Sequence, residues 1–466
     1  MEFDVPLSPS TRAMIEAATN RGIPALRLGT GNLVQLGYGV RQRRIRGAET
    51  HGSSAVGESI AYDKELTRSL LREAGIPLPP ESVAAESRPQ NTYRMLIVGN
   101  RLMAAVRCDS TTAGSEFTDV TEQVHPEIAA RAIEAAQVVG LEVAGVEIVA
   151  ADLAQPLEAQ GGAVLELHAR PDLGPHLNPT HGSPRPVAEA IVALMFPAGG
   201  TGRIPIVAVT GGGCHVTASC LVAHVLQAQG SAVALSRDDG WFFAGRHVKS
   251  QSRDLPDQQR MLLINPLVES AIFETGPAAI ARDGLVFDRC DVAIATDAII
   301  ADGPHSHDEL LGATGRLLQA VGPSGVAVVN AHDPLLVALA EQCPSEVIYF
   351  ARGDRPGVPL TRGRGPARIL FVREGCVFAA ANGQQTKVAR FDDFSFAYGG
   401  LIAAQIESLL AAIAGCWALG ISWQSLRACL ASLAAELDPF SDLAGAWCGP
   451  VLPESAAEPH GLVAAR

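Results

Sequence analysis

The stretch Arg203–Thr217 reads RIPIVAVTGGGCHVT, and it decides the fold of the second half of the chain. Val207 to Val209 is an apolar run typical of a buried strand. The three glycines after Thr210 permit a tight turn with exposed backbone N–H groups, and Ala218 to Leu226 is predicted to form the helix that follows. A strand, a glycine turn and a helix in this order predict a phosphate-binding loop in an α/β domain.

The residues that would give such a loop its chemistry are changed. A loop of the G-x-x-x-x-G-K-[ST] kind ends in a Lys that neutralises phosphate and a hydroxyl that reaches Mg²⁺. Here His215 stands at the Lys position and Val216 at the hydroxyl position, and Thr217 comes one place late. A mostly neutral imidazole does not replace a fixed ammonium. The predicted remnant of a nucleotide site is Thr210, Gly211, Gly212, Gly213, His215 and Thr217.

Two interpretations of Cys214-His215 stay open: a degenerate loop, or a nucleophile or metal pair. Adjacent residues in a turn rarely point at one reacting atom, which favours the degenerate loop. Free N–H groups at the start of a helix still hold an anion weakly.

Composition bounds the remaining possibilities. The chain has 466 residues, 47% hydrophobic residues and a formal net charge of −13, which predict a globular protein of two or three domains. A negative balance argues against nucleic-acid binding, and the cluster Arg41–Arg46 is read as a solvated strand edge.

The sequence also favours the cytoplasm. The first residues lack the features of a secretory signal, and the apolar stretch 401–421 is interrupted by polar residues, which predicts a core helix instead of a membrane span. The nine Cys form no C-x-x-C pair and indicate reduced thiols.

The first half of the chain alternates helix and strand signals. Ser8 and Pro9 begin a predicted helix, residues 23–28 and 34–39 are predicted strands, and residues 63–71 form an amphipathic helix. The alternation predicts an α/β domain.

The same residues carry a resemblance. Residues 8–80, including LVQLGYG at Leu33–Gly39 and DKELT at Asp63–Thr67, resemble the opening of the ATP-grasp domain of cyanophycin synthetases, and the resemblance resumes at residues 93–99 and 119–197. Residues 81–91 form a polar join where the family has the lid that clamps ATP. The resemblance therefore implies a truncated ATP-grasp-like α/β domain without its lid.

The resemblance also locates a metal-binding region. ATP-grasp domains hold Mg²⁺ with oxygen ligands, often an E-x-N pair on one strand, because alternate strand residues face the same side. This chain has Glu166-Leu167-His168, with Glu147 on an earlier strand, so His168 replaces the Asn. Imidazole is a poor Mg²⁺ ligand and a good Zn²⁺ ligand. A transition-metal site and a remnant pocket with a hydrogen-bonded His are the two alternatives.

From Arg203 to about Leu339 the chain is similar to the central domain of Mur ligases as it is fused in cyanophycin synthetases. The framework carries the match, in GLVFDRCDV at Gly284–Val292 and VNAHDP at Val329–Pro334. The chemical residues match less well: Asp297 takes the place of the family's Asn, and Thr314 falls near its metal-assisting Lys. Glu274 is retained as a metal-ligand candidate. The resemblance implies a P-loop α/β domain with a mainly parallel sheet.

These observations predict an organisation of four segments. A truncated ATP-grasp-like domain spans residues 1–197, a linker 198–203, a Mur ligase central-like domain 204–435, and a mobile tail 436–466.

The resemblance also yields a functional prediction. We expect a cyanophycin synthetase-related protein that has lost ligase activity and acts as a scaffold, regulatory or accessory partner in amino-acid polymer metabolism. The alternative is a shortened ATP-dependent acid–amino-acid ligase that is completed by a partner subunit. Neither prediction assigns a tightly bound cofactor, and both leave room for weak ATP and Mg²⁺ binding. The expected partners are a second copy of the chain or a full-length cyanophycin synthetase-like ligase.

Overall fold

The computed structural model describes residues 6–79, 91–111, 114–211, 215–243, 246–249, 254–298, 305–354, 361–362, 365–366, 368–393 and 403–432. The chain divides into two compact units, Met1–Arg203 (unit 1) and Ile204–Arg466 (unit 2). The boundary falls at the end of the predicted linker. The finer domain limits, including the tail beyond residue 435, stay predictions.

Unit 1 begins with a helix and a small antiparallel sheet. Ser8 caps the first helix by accepting a hydrogen bond from the Thr11 backbone N–H, and Pro9 occupies the first turn, as the sequence predicts. The first elements are α1 (Pro9–Asn20), β1 (Ala25–Arg27), β2 (Leu33–Leu36), β3 (Arg43–Arg46), β4 (Glu49–Thr50), α2 (Ala55–Tyr62) and α3 (Lys64–Glu73), and the strands pair in the order β1-β2-β3-β4.

The interpretation of the arginine cluster as a strand edge is wrong. Arg43–Arg46 is β3, which pairs with β2 on one side and β4 on the other. Ile45 is buried in the core while Arg44 and Arg46 are exposed, because successive side chains point to opposite faces. Arg44 and Arg46 therefore occupy the solvated face of an interior strand.

A second antiparallel sheet forms the centre of unit 1. Tyr93, Met95 and Ile97 pack into one core with α4, and Leu96 and Val98 pack into a second core with α1 and α7. The elements are β5 (Asn91–Val98), β6 (Arg101–Thr111), β7 (Gly114–Asp119), α4 (Pro126–Val139), β8 (Val143–Ala150), α5 (Leu157–Gln160), β9 (Ala163–His168), α6 (Gly174–Leu177) and α7 (Val187–Met195), and the strand order is β7-β6-β5-β8-β9.

Unit 2 is built on an 11-stranded sheet. Its central strands are parallel, and two antiparallel strands lie at each edge. The sheet strands are β10 (Ile206–Thr210), β11 (Val233–Arg237), β12 (Gly240–Phe243), β13 (Arg246–Lys249), β14 (Ser270–Glu274), β15 (Cys290–Ala295), β16 (Val321–Asn330), β17 (Glu346–Ala351), β20 (Arg368–Arg373), β21 (Cys376–Ala381) and β22 (Gln384–Arg390), in the order β13-β12-β11-β14-β10-β15-β16-β17-β20-β21-β22; β18 (Thr361–Arg362) and β19 (Gly365–Pro366) pair separately.

Helices cover both faces of this sheet. All five residues of β10 are buried, which is typical of a parallel strand packed on two sides. One core joins the sheet to α8, α13 and α14, and α11 and α12 pack against β15 and β16. The helices are α8 (His215–Ala228), α9 (Leu255–Ile264), α10 (Pro277–Asp283), α11 (His307–Gln319), α12 (Pro334–Gln342), α13 (Ala403–Ala418) and α14 (Trp423–Ala431).

Two apolar elements, β8 and α13, belong mainly to the core. Every residue of β8 except Glu147 and Val149 is buried, and residues 408–416 of α13 are all buried. None of the described helices is long and apolar enough to cross a membrane.

Gly37 and Gly29 allow a test of close packing in unit 1. Both have positive φ values, +81° and +75°, but a Cβ on Gly37 would lie 2.5 Å from the Gly202 carbonyl oxygen, while a Cβ on Gly29 would meet no described atom within 4 Å. We expect Gly29→Ala to lower the free energy of unfolding by about 1 kcal/mol from backbone strain alone.

Gly37→Ala should lower the free energy of unfolding by at least about 1 kcal/mol more than Gly29→Ala, because the clash adds to the strain. Urea unfolding followed by circular dichroism measures both variants. Equal losses would contradict the close approach of Gly37 and Gly202.

Candidate functional site

A ladder of charged side chains crosses three adjacent strands of unit 1. Arg94 on β5 lies directly opposite Glu147 on β8, which lies directly opposite Glu166 on β9. His168 follows Glu166 by two residues and therefore faces the same side. The structure thus brings together Glu147, Glu166 and His168, whose ligand atoms all lie within 4.8 Å of one another.

Each carboxylate of the ladder already has a cationic partner. Arg94 Nε donates to Glu147 Oε1 at 2.8 Å, and Lys64 Nζ on α3 lies 2.9 Å from Glu166 Oε1. His168 Nε2 lies 3.5 Å from Glu147 Oε1. Like charges directly opposite one another on neighbouring strands destabilise a sheet, so these cations offset the repulsion between the two carboxylates.

The contact between Glu147 and His168 shifts the pKa of both side chains. The contact with His168 lowers the pKa of Glu147, and burial opposes this change. The same contact raises the pKa of His168, because the carboxylate favours the imidazolium form. The ladder therefore gains a further positive charge as the pH falls.

Arg94, Glu147 and His168 form one wall of a cleft of about 230 Å³. Arg170 and Asp172 add charge to this cleft, and His176 on α6 is nearly fully buried beside them. Burial lowers the pKa of His176 to about 4, so its imidazole is neutral near pH 7, and its Nδ1 has no hydrogen-bond partner among the described residues.

Arg170 connects the cleft to a neighbouring hollow. A second cavity of about 190 Å³ lies against Tyr62, Lys64, Glu166 and Arg170. Glu49 and Glu58 accept hydrogen bonds from the Arg170 guanidinium, which also lies 5.8 Å from the centre of the Tyr62 ring. These three contacts fix Arg170 in place.

The residues of the ladder do not fit Mg²⁺. This ion requires near-octahedral oxygen ligands and retains several waters. Here the third ligand is an imidazole, and the two carboxylates are paired with Arg94 and Lys64. The site provides two carboxylates and one nitrogen, which is a set that suits borderline-soft metals better.

The glycine turn of unit 2 lies where the sequence predicts it. Thr210 ends β10, and Gly211 follows with a φ of +152°. A Cβ on Gly211 would lie 1.9 Å from Thr296 Oγ1, so only glycine allows this approach to the end of β15. The Thr210 hydroxyl is buried and has no hydrogen-bond partner within the described ranges.

The helix after the turn begins at His215, three residues before the predicted start at Ala218. Thr217 consequently lies in the first turn of α8. Gly212, Gly213 and Cys214 lie outside the described residues, so the proposed pairing of Cys214 with His215 stays a prediction.

A second charged cluster surrounds Glu274, at the end of β14. Ser219 on α8 donates to Glu274 Oε2 at 2.8 Å, and Arg237 Nε at the end of β11 lies 3.8 Å from the same oxygen. Arg237 Nε also lies 3.2 Å from Asp239 Oδ1. Burial raises the pKa of Glu274 to about 7, while Ser219 and Arg237 act in the opposite direction.

The other metal-ligand positions that the resemblance implies do not complete a Mg²⁺ site with Glu274. The Thr314 hydroxyl donates to the Leu310 carbonyl at 3.2 Å, and Thr296 Oγ1 donates to Asp297 Oδ2 at 3.1 Å. Glu274 itself is bonded to Ser219 and faces a guanidinium. The donor set therefore does not fit the Mg²⁺ of a nucleotide complex.

The cations of both sites do not follow from the sequence prediction. The local pattern places Lys64 only on a helix and Arg94 only on a strand, and it does not single out Arg237. A signal for Arg237 exists, because it ends an apolar run and the carboxyl ends of parallel strands meet at one edge of a sheet. No local signal connects Lys64 with Glu166, 102 residues later in the chain.

The raised pKa of Glu274 predicts a pH-dependent stability. Between the ordinary carboxyl pKa of 4.5 and about 7, the folded state holds a proton that the unfolded state releases. The free energy of unfolding should therefore fall as the pH rises through this window. Glu274→Gln keeps an acceptor for Ser219 without the charge, so it should flatten this fall and stabilise the protein by on the order of 2 kcal/mol at pH 8.

Urea midpoints measured from pH 5 to pH 8 test this expectation, with the exposed Glu374→Gln as the control. A Glu274→Gln variant that keeps the same pH slope as the parent would show that Glu274 has an ordinary pKa.

Comparison with known proteins relates the chain to a group of ligases. No protein-family model matches the chain. The chain is 26% identical to the cyanophycin synthetase of Synechocystis sp. over 554 aligned positions, which cover 90% of this chain and 63% of that protein. The chain thus spans under two thirds of the length of this relative, and the number of aligned positions exceeds the length of the chain because the alignment contains gaps.

Two further matches each cover about half of the chain. A UDP-N-acetylmuramoylalanine–D-glutamate ligase of Symbiobacterium thermophilum is 25% identical over 225 positions, covering 48% of this chain and 43% of the ligase. Among solved structures, UDP-N-acetylmuramoyl-L-alanyl-D-glutamate–2,6-diaminopimelate ligase matches with a TM-score of 0.39 and 17% identity, covering 50% of this chain and 46% of that one. Along 90% of its length, this chain is therefore a relative of the cyanophycin synthetases, with an ATP-grasp-like α/β unit followed by a Mur ligase central-domain-like unit.

Proposed function

We propose that this relative of ATP-dependent ligases no longer catalyses amide-bond formation and acts as an accessory or regulatory partner in amino-acid polymer metabolism. One observation carries the proposal: in each unit, the carboxylates that would hold a metal face cations of the protein itself. Glu147 faces Arg94, Glu166 faces Lys64, and Glu274 faces Arg237. Side chains of the protein thus supply a positive charge that Mg²⁺ would otherwise bring together with ATP.

These substitutions and ion pairs should weaken nucleotide binding. A hydrogen bond from a charged group contributes about 1.5–3 kcal/mol, and His215 replaces the Lys that would donate it. Transfer of a phosphoryl group depends on metal ions that neutralise the developing charge. Neither Glu274 nor the ladder of unit 1 offers the complete set of oxygen donors that this ion requires.

A second function is favoured by a different observation. Glu274 is retained and buried at the end of β14, and the Thr210 hydroxyl beside the glycine turn has no partner in the part of the chain that the structure describes. A partner subunit that supplied a cation and a phosphate-binding group would use both. This arrangement would make the chain one part of an ATP-dependent acid–amino-acid ligase.

Association is central to either function. The proposed assembly is a homo-oligomer or a complex with a full-length cyanophycin synthetase-like ligase, in the cytoplasm. The seven cysteines within the described residues are free thiols, which is the usual state in a reducing compartment.

The proposal predicts MgATP binding no tighter than millimolar. Calorimetric titration of the full chain tests it, with an active cyanophycin synthetase as the positive control. His215→Lys should tighten binding only slightly, because Glu274 still faces Arg237 and Thr314 still lacks an amine. Micromolar affinity for the unchanged chain, or hydrolysis of ATP with aspartate and arginine present, would overturn the non-catalytic function.

The two functions differ in what a ligase partner does. We expect the chain to co-purify with a cyanophycin synthetase-like ligase. Replacement of Glu274 by Gln in this chain should leave the dependence of that ligase's activity on ATP concentration unchanged. Polymer synthesis that is lost with Glu274→Gln would favour the shared-ligase function instead. A chain that stays monomeric in light scattering at tens of micromolar and retains no ligase would contradict both.

A further inference from the structure

We propose that Glu147, Glu166 and His168 bind a borderline-soft divalent metal ion of the Zn²⁺ class. The three residues lie on one face of two neighbouring strands, and one ligand atom from each falls within a 4.8 Å cluster. Two ligands of a tetrahedral Zn²⁺, with bonds of about 2.0–2.2 Å, lie about 3.3–3.5 Å apart. The distance of 3.5 Å between His168 Nε2 and Glu147 Oε1 equals one edge of such a tetrahedron.

A second observation in the same cleft supports a ligand there. His176 is 3% exposed and lines the cleft together with Glu147 and His168, and its Nδ1 finds no hydrogen-bond partner in the described part of the chain. A buried polar atom without a partner costs about 1–3 kcal/mol. The imidazole of His176 therefore adds a buried polar group with an unmet hydrogen bond to the wall of this cleft.

Lys64 and Arg94 would compete with a metal ion for the two carboxylates. Lys64 is 73% exposed and contacts Glu166 from the solvent side, so its ammonium can move into water at little cost. Arg94 donates its Nε to a single oxygen of Glu147. Two carboxylates and a neutral imidazole would balance a divalent ion, with a water as the fourth ligand.

The choice of metal follows from the donor set. Imidazole nitrogen favours Zn²⁺, Co²⁺ or Ni²⁺ over Mg²⁺, whose ligands are oxygens. Binding of this kind is independent of the proposed function, because it requires neither ATP nor a ligase partner. Its failure would leave the accessory function untouched, and its success would not restore catalysis.

The test uses the full chain, freed of metal by a chelator and then titrated with Zn²⁺ in a calorimeter. Co²⁺ serves as a second probe, because its visible absorption reports tetrahedral coordination. We expect one ion per chain at micromolar affinity, a rise in the melting temperature, and no response to Mg²⁺ at the same concentrations.

Three variants make the test specific. His168→Asn should weaken Zn²⁺ binding at least about tenfold. The matched control is His181→Asn, since His181 Nε2 lies 3.7 Å from Glu116 Oε2 in an exposed pair, outside the three-residue cluster; it should change affinity less than about twofold, within the spread that such sites show. Lys64→Gln should tighten binding several-fold by removing the competing ammonium.

A melting temperature close to that of the parent must accompany the gain of affinity in Lys64→Gln, because an unfolded chain exposes free cysteines that bind Zn²⁺ themselves. Absence of Zn²⁺ and Co²⁺ binding at about 10⁻⁴ M, a concentration at which even weak metal sites of proteins begin to fill, in both the parent and Lys64→Gln would overturn the proposal. Equal losses in His168→Asn and His181→Asn, or Co²⁺ spectra of octahedral type, would do the same.

Discussion

The burial of β10 on both faces is the constraint on which unit 2 depends. Its five residues pair in parallel with β14 on one side and β15 on the other. Parallel pairing brings the carboxyl ends of these strands to one edge, so Thr210, Glu274 and Thr296 become neighbours whatever their own chemistry. Gly211 completes the arrangement, because only a residue without a Cβ can approach Thr296 so closely.

In unit 1 too, strand pairing fixes the positions of the charged side chains independently of their chemistry. The pairing of β5, β8 and β9 places Arg94, Glu147 and Glu166 in one row. Hydrophobic burial maintains this row, since the opposite faces of the same strands supply Met95, Val146 and Leu167 to the core. The ladder residues can therefore change their ligand preference without loss of the fold, because the buried apolar residues of the same strands supply the hydrophobic stabilisation.

Much of this could be predicted from the sequence. The helix at Pro9 and the strand before the glycine turn follow from a helix cap and an apolar run, and the resemblance to ATP-grasp domains singles out Glu147, Glu166 and His168. The features that the sequence did not predict are non-local. Lys64 on α3 contacts Glu166 on β9, far away in the sequence. The start of α8 at His215 depends on tertiary packing as well as on helix propensity. The prediction that Arg43–Arg46 forms a strand edge is wrong for the same reason, because the sequence of β3 does not reveal its pairing with β4.

The antiparallel strands at the two ends of the large sheet limit how copies of this protein can meet. A bare strand edge offers unpaired N–H and C=O groups to any passing chain, and charged residues on the edge discourage that contact. β13 carries Arg246 and Lys249, and β22 carries Lys387 and Arg390. Pairing of an edge strand with the edge strand of another molecule is therefore disfavoured. In the crowded conditions of protein synthesis, unit 2 should form fibres less readily than a similar sheet with uncharged edges.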